Sequence, residues 1–374
     1  MSVGAGFSSK TAWKKEDKQS AYSAPIEVGA SDQMPLISET LERGIEKEPD
    51  NTIRNKAGAG AADVVGKTVT GRAQFDLMYR GLESLLHCAL GHADYAASPA
   101  TVAAGVYKHT IELAERLHSE GWLAGDGILA GSGYLAGDQK VRRGTLCIDK
   151  AVSLWEYASC MIQALTLTGS AKGLRVEADL VPYNLDRASA VNTTSAAWSI
   201  PDLDWLSVLF QDLVVWIDDY SAGAPLTSDD AIGITDVELK LENNLKVEKD
   251  SLSGLYIAEP KREAKRRVTG SFTMPRYESD AFLEDLDDQT AKMAMLKFTG
   301  SQIGSTGYYL TLWLWLPSLK FDKIDAPVAG PKLIPVKHTF TAELPAAAPA
   351  GFPAQATKEL VIQIQNDFAT NALI

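Results

Sequence analysis

No stretch of this 374-residue chain holds about 18 consecutive apolar residues, so no segment reads as a membrane-spanning helix. The very apolar run Tyr308 to Leu316 has only the length of a strand. The opening residues Met1-Ser2-Val3-Gly4 lack a charged segment followed by an apolar one, and no secretory signal is expected. Cysteine is scarce and odd in number. Cys88, Cys147 and Cys160 show no framework spacing, so reduced thiols in a cytoplasmically made protein are the simple expectation. Positive charge is in deficit, with 36 Lys and Arg against 48 Asp and Glu and a net charge of −12. Phosphate affinity draws mainly on Lys and Arg, so this balance disfavours tight, non-specific nucleic-acid binding. It is compatible with nucleic acid passing without sticking.

The chain is equally short of catalytic patterns. Five histidines are present: His87, His92, His109, His118 and His338. His87, Cys88 and His92 lie close in sequence, but their spacing fits no zinc pattern and neighbouring residues point to different helix faces. No His-Glu-x-x-His occurs. The Gly-rich stretch from Gly125 to Gly137 lacks Gly-Lys-Ser/Thr and the spacing of a dinucleotide site. Gly131-Ser132-Gly133 is not a nucleophile elbow. The acid pairs Asp218-Asp219 and Asp287-Asp288 have no partner base, and such pairs are common at strand and helix ends. The basic run Lys261, Arg262, Lys265, Arg266 and Arg267 has no interleaved aromatics, so it reads as half of an electrostatic contact in an assembly or as a solvated loop. No catalytic, cofactor-binding or metal residue is assigned, and no enzyme is expected.

What the chain does have is length, with 45% hydrophobic residues, enough for about two domains. It also has an internal repeat. Ile37-Ser38-Glu39 resembles Ile234-Thr235-Asp236, and Val69-Thr70-Gly71 recurs as Val268-Thr269-Gly270. A helical stretch follows each, Tyr79 to Leu90 and Tyr277 to Leu286. Leu154-Trp155-Glu156-Tyr157 resembles Leu312-Trp313-Leu314-Trp315, and Asp212 to Ile217 resembles Glu359 to Ile364. The shared order of four pairs suggests two unequal copies, the first enlarged by an insert at about 92–150. The expected organisation is an arm at 1–30, a first domain at 31–226 with that insert, and a second domain at 227–374.

Most local patterns are strand. Leu174, Val176, Ala178 and Leu180 alternate with polar residues, as do Val237, Leu239 and Leu241, and Phe340, Ala342 and Leu344. The turn signals Gly169 to Gly173 and Ala329-Gly330-Pro331 occupy equivalent places in the two copies. In Tyr79 to Leu90, Leu82, Leu85, Leu86, Ala89 and Leu90 share one helix face, with Gly91 as C-cap. Ser98-Pro99 reads as the start of a second helix, Ser98 to Glu120, with Val102, Val106, Leu113 and Leu117 as its apolar stripe. Each copy is therefore expected to be a β-sandwich or partly closed barrel with one packed α-helix. Residues 1–30 and 44–66 read as unpacked in an isolated subunit.

The chain resembles the tail tube proteins of long-tailed bacteriophages. The resemblance rests on the arm from Gly6-Phe7-Ser8-Ser9-Lys10-Thr11-Ala12-Trp13 to Pro25-Ile26, and on Ile37 to Leu41 with its counterpart Ile234 to Val237. It rests further on Ile232 to Leu245, ending Glu242-Asn243-Asn244-Leu245, and on Val268 to Phe272. It implies a mainly β fold of two tandem tube-type domains with long arms and loops. It implies a virion structural protein, assembled in the host cytoplasm, whose stacked rings form the tail tube through which the genome leaves. The implied partners are further copies of the chain, the tape measure protein, the tail terminator and genomic DNA as transient cargo in an acidic lumen. No cofactor and no membrane are implied. Two tube folds per chain would give a trimeric ring of pseudo-sixfold symmetry, with a hexameric ring as the rival. Two other functions stay open: a neck or terminator ring of related fold, and a carbohydrate-binding β-sandwich using exposed Trp198 and Trp205.

Overall fold

The computed structural model describes residues 9–16, 22–29, 32–48, 62–93, 100–113, 143–171, 173–196, 198, 207–221, 223–249, 254–328 and 333–368. In chain order the strands are β1 (Lys10–Lys15), β2 (Gln33–Met34), β3 (Leu36–Glu39), β4 (Glu42–Glu48) and β5 (Asp63–Asp76), followed by helix α1 (Glu83–Leu90). Next come β6 (Gly91–Ala93), β7 (Ala100–Ala103), β8 (Val106–Leu113), β9 (Gly144–Asp149), β10 (Leu154–Ser170), β11 (Gly173–Val181), β12 (Asn184–Asp186) and β13 (Leu213–Asp219). β14 (Ala231–Ile232), β15 (Asp236–Glu242), β16 (Leu245–Lys246), β17 (Lys261–Arg262) and β18 (Arg267–Met274) lead to helix α2 (Ala281–Asp288). β19 (Lys292–Gln302), β20 (Tyr309–Asp325), β21 (Val336–Ala342) and β22 (Val361–Asn366) close the series.

The fold is mainly β, as the alternation requires, with one helix after each Val-Thr-Gly strand. Eight strands form an antiparallel sheet in the order β3-β5-β11-β10-β15-β18-β21-β20. One face of it is core: Phe75, Val176, Leu165, Leu239, Phe272, Phe340 and Phe321 are all buried. The first four strands come from one half of the chain and the last four from the other, and β10 pairs directly with β15.

The two halves share backbone features. β10 and β20 have 17 residues each and run through two layers. The far part of each pairs with β11 or β21, whereas the near part joins an outer layer, β10 with β9 and β12, β20 with β19 and β22. Each has a bulge at the same point, between Ile162 and Ala164 and between Phe321 and Lys323. The two halves exchange their last strands: β13 pairs with β19, and β22 lies between β20 and β8. The glycine of each Val-Thr-Gly has a local cause. A Cβ on Gly270 would lie 2.4 Å from the Phe340 ring, and one on Gly71 would lie 2.4 Å from the Thr40 carbonyl.

Helix α1 buries its expected face of Leu82, Leu85, Leu86, Ala89 and Leu90, and Gly91 ends it at φ 99°. It begins at Glu83 rather than Tyr79, because Gly81 at φ 97° is not helical. The second helix likewise begins late, at Ala281, whose N–H is met by Ser279 Oγ at 3.1 Å.

Two expectations fail. Over residues 100–113 the expected Ser98 to Glu120 helix is instead the hairpin β7–β8, turned at Gly105 with φ 76°. Val106, Tyr107, Thr110 and Ile111 are strand formers, and pairing with β22 buries Val106, Ile111 and Leu113. The rest of that helix lies outside the described residues. The arm, too, is packed where it is described. β1 pairs with β9 and with β2, and Ala12 and Trp13 are buried. Trp13 covers Gly144, where no side chain would fit. Of residues 44–66, those up to 48 and from 63 onward extend the β4–β5 pair, and 49–61 lie outside the described residues.

Candidate assembly surfaces

The eight-stranded sheet is open at both ends. Among the described residues β3 and β4 pair with β5 alone, and the far part of β20, Lys320 to Asp325, pairs with β21 alone. Both outer edges therefore present unpaired backbone groups, which in a lone chain are open to further strands. The β4–β5 pair also projects as a ribbon with apolar side chains in solvent, Ile45 at 50% and Val64 at 42% exposure. It is tethered along its length by Lys249, 3.0 Å from Glu46, and by the Lys67 N–H, 2.6 Å from the Leu255 carbonyl.

The polar face of the sheet carries both signs of charge. Arg72 reaches Glu177 at 2.9 Å and Asp179 at 2.7 Å, and Lys240 reaches Glu242 at 2.5 Å. Asp322 accepts from Thr341, and Lys320 lies 3.5 Å from Glu343. Thr166, Thr168, Thr269, Ser271 and Thr339 lie on the same face between them, by the period of two. The face is thus hydrophilic and of mixed charge, not uniformly acidic.

Three buried polar clusters tie distant parts of the chain together. At the arm, Glu16 accepts from Arg143 Nε at 2.7 Å, from Thr145 Oγ1 and from both the N–H and Oγ of Ser159. Arg143 also reaches Glu259 at 2.9 Å, and the Tyr22 ring lies over its guanidinium. Burial pushes the Glu16 carboxyl up, opposed by Arg143 and Ser159. At the exchanged strand, Asn366 donates to the Tyr79 carbonyl at 2.8 Å and to Glu83 at 2.7 Å, and faces His109 at 3.2 Å. Between the halves, Asn243 donates to the carbonyls of Ala89 and Ile162. Sequence reasoning missed all three. The one available signal was Asn243, a polar residue directly after an alternating strand.

The residues singled out from sequence are used structurally. His87 and Cys88 are buried in α1, and His338 is stacked on Phe272 at 4.7 Å. His118, Trp205 and the 125–137 stretch lie outside the described residues. No group of three or more His, Cys, Asp or Glu capable of holding a metal occurs among the described residues. Arg266 of the basic run is spent within the chain, on Glu359 at 2.7 Å, and Arg262 points to Asn243. Of the acid pairs, Asp219 bonds to Lys292 at 2.6 Å. Trp198 is not exposed: at 3% it packs with Ala12, Val28 and Cys147 under the arm, which removes the sign of a carbohydrate site at that residue.

Open sheet edges, a projecting ribbon and a polar face of mixed charge describe a building block. Comparison with protein families agrees, matching residues 6–357 to the phage tail tube proteins. The chain belongs to that family. Comparison with curated proteins gave no match. Membership accounts for a mainly β chain whose built features are edges and faces, and it makes the protein a structural component of the virion. No helix among the described residues is long and apolar enough to cross a membrane.

Proposed function

We propose that this tail tube protein polymerises into stacked rings of three chains, the rings forming the conduit for genome delivery. The observation that carries the reading is the doubled sheet, with the same bulge in β10 and β20 and the joint between β10 and β15. Residues 31–226 and 227–374 then act as two equivalent tube-type units on one chain. Three chains give a ring of pseudo-sixfold character, and closure removes the free edges. Ring-on-ring contact is head to tail and does not close on itself, so a filament follows. The projecting β4–β5 ribbon suits that contact.

The polar face is the natural lumen surface. Its Thr and Ser residues and paired charges offer DNA neither a run of unpaired cations nor an apolar wall, so DNA would slide without adhering. The tape measure protein and the tail terminator are the further partners of this reading, which places assembly in the host cytoplasm and makes no use of catalysis. Electron microscopy of the purified protein tests it: tubes with an axial channel are expected, and protein that forms no rings or tubes at any concentration or with tail initiators would overturn it.

A further inference from the structure

We infer that Trp313, Lys108 and Lys297 form a docking site for an acidic segment of a partner protein, a carboxylate or two beside an apolar side chain. The site lies on a sheet face, not on a sheet edge, and it is complete in the single chain. Leu312, Leu314 and Leu316 of β20 are buried in the core, so Trp313, between them, points outward by the period of two. Register sets Lys297 of β19 on one side of it and Gln363 of β22 on the other. Lys108 reaches in from β8, beyond β22, with its ammonium group 5.0 Å from the centre of an indole ring. That ring is Trp313, and the Lys297 ammonium lies 6.0 Å from it. Val214, opposite Lys297 in β13, adds an apolar surface that is 42% exposed.

Neither lysine has a carboxylate partner among the described residues. Burial pulls the Lys108 ammonium below its ordinary range, and no carboxylate opposes the effect. Glu112, on the same face of β8, lies four residues along the strand from Lys108, about 13 Å of backbone away. The Trp313 N–H also has no partner among the described residues and is open to solvent. Its neighbour differs: Trp315 donates to Gln363 at 3.1 Å, and Gln363 in turn donates to Thr110 at 3.1 Å. Two cations and a free N–H thus flank one ring with no anion to receive them. Trp155 shows how this chain completes such a group. There Lys150 lies 3.7 Å and Arg187 4.3 Å from the ring, and Glu39 of β3 accepts from Lys150 at 2.5 Å. At Trp313 no described strand brings that carboxylate, which leaves it to a partner. A nucleic acid fits poorly, because phosphate affinity needs a run of cations and the chain carries a net charge of −12.

Fluorescence anisotropy of the full chain with a fluorescein-labelled peptide tests the site. The probe carries two Glu beside a Leu in an otherwise neutral sequence, and its control has Gln for both Glu. At low salt the Glu peptide should bind and the Gln peptide should not. Lys108→Gln combined with Lys297→Gln should weaken binding about five- to tenfold at an unchanged unfolding midpoint, and Trp313→Phe should weaken it as well. No binding of the Glu peptide, equal binding of both peptides, or equal binding by the wild type and the double lysine variant would overturn the site. So would tighter binding of a thymidine oligonucleotide or of heparin, which would assign the lysines to phosphate or sulfate. Loss of self-association in the double variant, seen by sedimentation, would make the occupant a second copy and overturn the partner reading. Each of these results leaves the tube reading standing.

Discussion

Gln163 and Asp322 occupy matching positions: each is the extra residue of a bulge, in β10 and in β20, set against the hairpin partner β11 or β21. A bulge bends its strand and increases the local twist. Here it falls between the part of each long strand that belongs to the eight-stranded sheet and the part that belongs to an outer layer. A feature of this kind, placed identically in two halves, is stronger evidence of duplication than any three-residue sequence match.

The glycines of the repeated Val-Thr-Gly should be intolerant of a side chain. Gly270→Ala would press a methyl group into the Phe340 ring and toward the Glu238 carbonyl at 2.8 Å. A loss of about 1–3 kcal/mol is expected. Urea unfolding checks it, the midpoint falling without a change in slope.

Asn366 holds the exchanged strand to the first half of the chain. Asn366→Ala removes the amide donor to Glu83 Oε1 and to the Tyr79 carbonyl, while Glu83 Oε2 keeps the Gly81 N–H, and a cost of about 1–3 kcal/mol per lost donor is expected. Hydrogen exchange of β22 should accelerate in this variant more than that of β15. Equal acceleration in both would show that the exchanged strand does not open separately.

The parts of this fold legible in the sequence were those set by local periodicity. The alternation of Leu174 to Leu180 marked β11, and the stripe from Leu82 to Leu90 with Gly91 marked α1. What stayed hidden depends on partners far away in the chain. Val106 to Leu113 reads as well as helix as strand until β22 is beside it, and no local pattern announces that pairing. The arm looked unpacked because what covers Ala12 and Trp13 is β9, at the far end of the insert. Trp198 looked exposed for the same reason. Glu16 and Arg143 each sit in polar surroundings along the chain, and only the fold brings them into one buried pair.

That pair yields a further expectation. Glu16→Ala takes from buried Arg143 its most buried carboxylate partner among the described residues, and a loss of about 3–5 kcal/mol is expected for breaking such a pair. The double variant with Arg143→Ala should be less damaging than the sum of the two single ones. Denaturant unfolding of the set measures the coupling, and strict additivity would contradict it.

His338 makes stability depend on pH. Burial among Phe272, Phe282 and Phe321 lowers it to about 4 from an ordinary 6.5. Between those values the unfolded chain binds a proton that the folded one does not. Its contribution is therefore fully present above pH 6.5 and is lost as pH falls toward 4. His338→Phe should flatten that part of the stability profile, as denaturation midpoints at pH 7.5, 5.5 and 4.5 would show. An unchanged slope would mean that the imidazole is not the group responsible.

The central claim is that one chain supplies two equivalent elements of a ring. Reconstruction of the assembled tube by electron cryomicroscopy, without imposed symmetry and at a resolution that separates side chains, tests it most directly. Three chains per ring are expected, with β10–β15 joints alternating around the lumen with joints between chains. Six separate chains per ring, each contributing one unit to the wall and holding the other outside it, would contradict the account.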